Sequence, residues 1–178
     1  MKQTLHLYGA KTVLILFTLI ALGGCGAWQS VKDGTIETTH SIFYTKLKSL
    51  KLDLIARHGL NQNERGQSLS TVVRIYQLKD GQNFEAAAYR DLLNQDKSLL
   101  AENMLESKQV VIRPGESVNI NEKFHPEAEY VGIVAFFNRI EDGQSWKLLI
   151  PKKSLSNKKA FPIELMDKTI QQLTRDNE

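Results

Sequence analysis

Side chains able to do chemistry are few in this chain, and they do not gather into a constellation. There is one cysteine, Cys25, and there are four histidines, His6, His40, His58 and His125. No histidine has a second His, Cys or carboxylate at ligand spacing, so a metal site is not expected. Gly115-Glu116-Ser117 and Gly143-Gln144-Ser145 place serines after glycines, but neither completes the Gly-x-Ser-x-Gly pattern that exposes a nucleophile at a strand-to-helix turn. Glu127 with Glu129, and Glu141 with Asp142, have the types needed for acid–base work, yet both pairs lie in polar connections where solvated charge is the ordinary state. The glycines form no phosphate-cradling loop. The chain reads as non-enzymatic and implies no cofactor.

Cys25 differs from the rest in its position. Lys2 and Lys11 precede the apolar run Val13-Leu14-Ile15-Leu16-Phe17-Thr18-Leu19-Ile20-Ala21-Leu22, and Gly23-Gly24 separate that run from the cysteine. A charged start and a short apolar centre describe a secretory signal, because a spanning helix takes about 20 apolar residues. An ordinary signal ends in small residues of Ala-x-Ala type. Leu22-Gly23-Gly24-Cys25 instead resembles a bacterial lipobox, which implies that the thiol takes a diacylglycerol, the preceding bond is cut and the new amino group is acylated. The opposing readings are a buried free cysteine in a spanning helix and a chance cysteine after a conventional signal. Several acyl chains on one residue anchor durably, at about 0.8 kcal/mol per buried methylene, so the folded part needs no membrane-binding face. Gly26 is not the aspartate that commonly retains such proteins at the inner membrane, so the expected location is the periplasmic face of the outer membrane.

Loss of Lys2 and Lys11 from the 23 basic residues leaves 21 against 20 acidic ones. That near-balance argues against nucleic acid, whose binding needs a basic face. The expected organisation is a removed signal over residues 1–24, a lipidated N-terminus and tether over 25–45, and one domain over 46–178. In the tether the main large apolar residues are Trp28, Ile42, Phe43 and Tyr44. With Cys25 acylated no disulfide is available, so stability must come from the core.

Past the tether the period is two. Leu50, Leu52 and Leu54 alternate with Lys51 and Asp53; Val118 and Ile120 alternate with polar neighbours; Trp146, Leu148 and Ile150 share one parity. Alternation places one row on a core and the other toward water. The segments 71–78 and 109–112 are β-branched strands, and Tyr130-Val131-Gly132-Ile133-Val134-Ala135-Phe136-Phe137 is apolar on both parities, as a strand covered on both faces would be. Ile163 and Leu165 suit a last strand. Pro114-Gly115 and Asp142-Gly143 mark reversals. Short strands so punctuated predict a mainly β, two-sheet sandwich. Phe84, Ala88 and Leu92 at helical spacing, with Asn83 as cap and Ala86-Ala87-Ala88 inside, predict a helical insertion near 83–108.

The connection between the first two strands, residues 57–70, is long. Connections beyond about 12 residues are uncommon unless they bind something or are disordered, but lengthening a loop costs little. A binding loop and a tolerated insertion are both compatible with that length.

Thr71-Val72-Val73-Arg74-Ile75-Tyr76-Gln77-Leu78 followed by Phe84, then Pro114-Gly115-Glu116-Ser117, the Tyr130–Phe136 strand and Trp146 together resemble the TssJ family of type VI secretion lipoproteins. The resemblance covers nearly the whole mature chain. It implies a transthyretin-like β-sandwich with a small helical addition, anchored in the outer membrane and binding the periplasmic domain of TssM, and through it TssL. It also places the TssM-binding loop on Arg57, His58, Gly59, Leu60, Asn61, Gln62, Asn63, Glu64, Arg65, Gly66, Gln67 and Ser68. Leu60, Asn61 and Gly66 match the family pattern. Where relatives carry prolines, this chain has Gln62, Ser68 and Ser70, so the loop is expected to be more mobile before binding. Leu60 is the expected apolar anchor. Two alternatives stand beside this reading: a periplasmic lipoprotein that binds or processes glycan or peptidoglycan, and a pilotin-like chaperone of a secretion channel.

Overall fold

The computed structural model describes residues 46–141 and 143–174. The expected signal, Cys25, the expected tether and Asp142 lie outside the described residues.

Eight strands form two four-stranded sheets. They are β1 (Ser49–Ala56), β2 (Thr71–Leu78), β3 (Met104–Ile112), β4 (Ser117–Lys123), β5 (Tyr130–Phe136), β6 (Lys147–Pro151), β7 (Phe161–Met166) and β8 (Thr169–Gln172). One sheet has the order β4-β1-β7-β8 and the other β3-β2-β5-β6. Only β1 and β7 run parallel, with Leu52 opposite Phe161 and Ala56 opposite Leu165. The period-two rows sit where alternation puts them: Leu50, Leu52, Leu54 and Ala56 of β1, with Ile163 of the adjacent β7, pack with Ile75 and Ile133 of the other sheet in a core between the sheets. Excluding water from these side chains is the main stabilising term, about 1.5–3 kcal/mol for each large one.

β5 is buried from Val131 to Ala135 because it has a neighbour on both edges and a layer on both faces. Its inner side chains join the main core, while Val134 joins a second cluster with Tyr76, Leu78, Phe84 and Leu92 beneath the helical insertion.

That insertion differs from expectation. It is two helices, α1 (Gln82–Ala86) and α2 (Tyr89–Leu99), and Ala87 and Ala88 between them are extended, with ψ of 134° and 157°. Tertiary contacts override the helix propensity of the alanine run. The Lys147 ammonium collects the carbonyls of Phe84, Glu85 and Ala87 at 3.0, 2.6 and 2.8 Å, which ends α1 there. Asn83 is not the cap: the helix starts after Gly81, and the Asp80 carboxylate accepts the Gln82 N–H at 2.6 Å. Residues 104–108 are strand rather than helix, because all eight residues of β2 find partners along β3. Ile163 and Leu165 lie in β7, and β8 follows it after a turn through Asp167, whose φ is 48°.

The predicted reversals are present. Glu116 N–H donates to the Arg113 carbonyl at 3.0 Å around Pro114 and Gly115, with Gly115 at φ 75°, a type II turn with proline and glycine at their favoured positions. Gln144 N–H closes the other turn on the Glu141 carbonyl at 3.2 Å, with Gly143 at φ 82°.

Candidate functional site

Strand directions sort the connections into two sets. β1 and β7 end, and β8, β2, β4 and β6 begin, at one end of the sandwich, where β3 and β5 also finish. The connections β1–β2, β3–β4, β5–β6 and β7–β8 therefore cluster there. The chain enters β1 at the opposite end, where Lys48 N–H donates to Asn157 Oδ1 at 2.7 Å and Phe124 N–H to the Lys48 carbonyl at 2.9 Å.

The β1–β2 connection is built around two asparagines. Asn61 is buried at φ 53°, in the left-handed region that asparagine tolerates better than most residues. Its N–H donates to the Asp167 carbonyl at 2.6 Å, its Nδ2 to the Ser70 carbonyl at 3.2 Å, and its Oδ1 accepts the Asn138 N–H at 2.8 Å. One residue thus ties the β1–β2, β5–β6 and β7–β8 connections together. Asn63 organises the tip: its Oδ1 accepts the N–H groups of Arg65 and Gln67 at 2.9 and 3.0 Å, and its Nδ2 donates to Gln67 Oε1 at 2.9 Å. Gly66, at φ 72°, donates to the Asn63 carbonyl at 3.0 Å. Hydrogen bonds to Asn63 thus brace the proline-free tip.

Leu60 requires a correction. It is fully buried in the inter-sheet core, so it cannot be the apolar anchor for a partner. The turn into Asn61 carries it inward, and its carbonyl accepts the Leu69 N–H at 3.1 Å. Arg57, His58, Gln62, Glu64, Arg65, Gly66 and Gln67 are exposed, whereas Gly59, Asn63 and Ser68 are half-buried. The His58 ring lies over Gly115, where any Cβ would come within 2.8 Å of it.

Charges link this loop to its neighbours. Arg57 pairs with Glu164, whose second oxygen accepts Gln171 Nε2 at 2.9 Å. The Gln171 amide first, and then Arg57, hold the buried Glu164 carboxyl below its ordinary value of 4.5. Arg139 lies 3.3 Å from Glu64 and 3.7 Å from Glu141, and Glu141 accepts from Lys168 at 2.9 Å. Lys168 holds the Glu141 carboxyl low. A shallow groove of about 410 Å³ runs between the loop tip and Asn138-Arg139. Asn138, Arg139, Glu141, Glu164 and Asp167 were absent from the sequence reading of this site. They come from two segments, 138–141 and 164–167, that are distant from the loop in the chain, so only the strand pairing brings them here.

The other candidate residues are engaged in structural contacts. Glu127 and Glu129 each hold a lysine, Lys79 at 3.0 Å and Lys152 at 2.7 Å. Ser145 contributes its carbonyl to the Ile170 N–H at 2.7 Å, which closes the β6–β8 side of the sandwich. Among the described residues no group of three or more His, Cys, Asp or Glu is placed to hold a metal ion.

Fold and site together define a two-sheet β-sandwich that presents a braced cluster of loops at one end. The chain belongs to the family described as "T6SS-SciN: Type VI secretion lipoprotein, VasD, EvfM, TssJ, VC_A0113", whose model matches residues 48–168. A chain in the solved structure "Type VI membrane complex" is 32% identical with a TM-score of 0.69, over 72% of this chain and 99% of that one. A chain in "T6SS protein TssM C-terminal domain (869-1107) from EAEC" is 30% identical with a TM-score of 0.64, again over 72% of this chain and 99% of that one. Lip of Serratia marcescens, described as a membrane-bound component of the type VI secretion system, shares the fold at 20% identity and a TM-score of 0.66, over 73% of this chain and 100% of its own. No curated protein matches the chain.

Proposed function

We propose that this type VI secretion lipoprotein is held at the periplasmic face of the outer membrane by acyl chains on Cys25 and binds the periplasmic domain of TssM, and through it TssL, with residues 57–68. It acts by adhesion and catalyses no reaction. The observation that carries this reading is the placement of the braced β1–β2 connection at the end of the sandwich away from the entry of the chain into β1. The chain thus enters the sandwich at one end and presents the loop at the other. Two similar chains at 30% identity or more belong to structures named for a type VI membrane complex and for the TssM C-terminal domain, which supports TssM as the partner.

A glycan-binding face would need exposed aromatics in a row. Tyr89, Phe136 and Trp146 instead pack edge to face, with ring centroids 5.8 and 5.1 Å from Tyr89, beside the helical insertion. The test is calorimetry of the detergent-solubilised full chain with the TssM C-terminal domain, before and after residues 63–67 are replaced by a Gly-Ser segment of equal length. Binding should be lost on replacement. Undiminished affinity would overturn the reading.

A further inference from the structure

The loop assigned above offers polar groups, yet it has no large apolar side chain at its surface once Leu60 is turned inward and Leu69 half-buried. Protein interfaces draw most of their energy from a few apolar or aromatic anchors that are desolvated at the centre of a polar rim. The described residues include four exposed large hydrophobics, Leu93, Val111, Ile140 and Met166. Leu93 is on α2, and Val111 is the penultimate residue of β3, the edge strand of the helix-bearing sheet, where it lies toward the loop end but beside Val72. The other two adjoin the residues bonded to the loop: Ile140 in the β5–β6 connection, 36% exposed, and Met166 as the last residue of β7, 47% exposed.

Both are framed by residues that contact the loop. Ile140 follows Asn138, bound to Asn61 Oδ1, and Arg139, paired with Glu64. Met166 precedes Asp167, whose carbonyl holds the Asn61 N–H. The ion pair of Lys168 with Glu141 joins the turn after Met166 to the residue after Ile140. An isoleucine and a methionine left in water inside a network of satisfied polar groups make the arrangement of an interface: apolar knobs within a charged rim.

We infer that the partner-binding surface is a three-connection platform in which Ile140 and Met166 are the apolar anchors, while the β1–β2 loop supplies the polar rim. The surface fits a protein partner with two apolar recesses bordered by hydrogen-bonding groups. This inference rests on the function proposed above, whose partner is TssM.

The experiment measures affinity of the detergent-solubilised full chain for the TssM C-terminal domain, with Ile140→Ser, Met166→Ser and, as a control from the sheet flank, Leu93→Ser. Thermal melts confirm that each variant folds. Ile140→Ser and Met166→Ser should each weaken binding about tenfold or more, as loss of an interface anchor does, and Leu93→Ser should not. If both match Leu93→Ser while the 63–67 replacement abolishes binding, the anchor assignment fails and the TssM reading stands. If every variant, including the loop replacement, binds as the unaltered chain does, both fail. Loss of self-association on Ile140→Ser at constant TssM affinity would also overturn the inference, making the occupant a second copy of this chain.

Discussion

Asn61 combines a backbone at φ 53° with side-chain bonds to two connections and an N–H bond to a third. Asn61→Ala would put a Cβ-bearing residue without a polar side chain in the left-handed region and leave the Asn138 N–H without its acceptor. The strain and the orphaned group together should cost about 2–4 kcal/mol. Asn61→Gly relieves the strain but not the lost bonds, so its urea midpoint should fall between those of Asn61→Ala and the parent. A midpoint equal to that of Asn61→Ala would show that the backbone contributes nothing. Thr71 presents the opposite case. Its hydroxyl is the one buried side-chain polar atom among the described residues without a hydrogen bond. Thr71→Val removes an unsatisfied group at nearly constant shape and should stabilise by about 1 kcal/mol, read as a higher urea midpoint with unchanged slope. Glu164 sets a pH dependence. Its folded carboxyl lies below 4.5, so the stability it adds is complete above that pH and is lost as pH falls through the depressed value. In Glu164→Gln the gap in stability from the parent should therefore narrow below pH 4.5; a gap constant from pH 7 into acid would remove Glu164 from the account.

At the scale of elements, the helical insertion and β5 explain each other. Gly132 of β5 sits under Phe84 of α1, where any Cβ would meet the ring at 2.7–2.9 Å, and Phe84 is itself wedged against Tyr76 at 6.0 Å between centroids. Gly132→Ala must displace that ring, at about 1–3 kcal/mol for an overpacked core, and should expose the insertion to proteolysis before the sheets unfold. Cleavage unchanged from the parent would mean that the ring yields freely. The doubly apolar Tyr130–Phe136 segment was readable as a central strand because hydrophobic parity reports layers directly. The β1 row and the Pro114-Gly115 turn were legible for the same local reason. What local pattern could not supply is pairing. Met104–Lys108 looks no more like strand than helix, and becomes strand because β2 has an edge to satisfy; Thr169–Gln172 has one apolar residue and is held by its neighbour β7. In the candidate site the length of the β1–β2 connection was visible in the sequence. The inward turn of Leu60 was not, since it depends on the left-handed Asn61 and on carbonyls from distant connections. Nor were Asn138, Arg139 and Asp167 legible, for they reach the loop only through the sheet order.

Across the whole molecule, the function depends on which end of the sandwich faces which attachment. β1 runs from the chain's entry to the loop cluster, eight residues or about 25 Å, so the end at which the chain enters the sandwich and the end that carries the loop cluster are separated by the length of that strand. Residues 26–45, between Cys25 and the described chain, are 20 in number and can span at most about 70 Å when fully extended. Their length then limits how far the loop cluster can stand from the membrane, and it should matter in cells but not in a binding assay. Deleting ten of them removes up to about 35 Å of reach while leaving every residue of the sandwich in place. The detergent-solubilised deletion should bind the TssM C-terminal domain with unchanged affinity by calorimetry, yet recover less TssM from cell envelopes after cross-linking. Restoring the length with a Gly-Ser segment should restore recovery, because reach and not sequence is at issue. Full recovery with the short form would show that tether length is not limiting, and weakened affinity in detergent would show that residues 26–45 contribute to the interface itself.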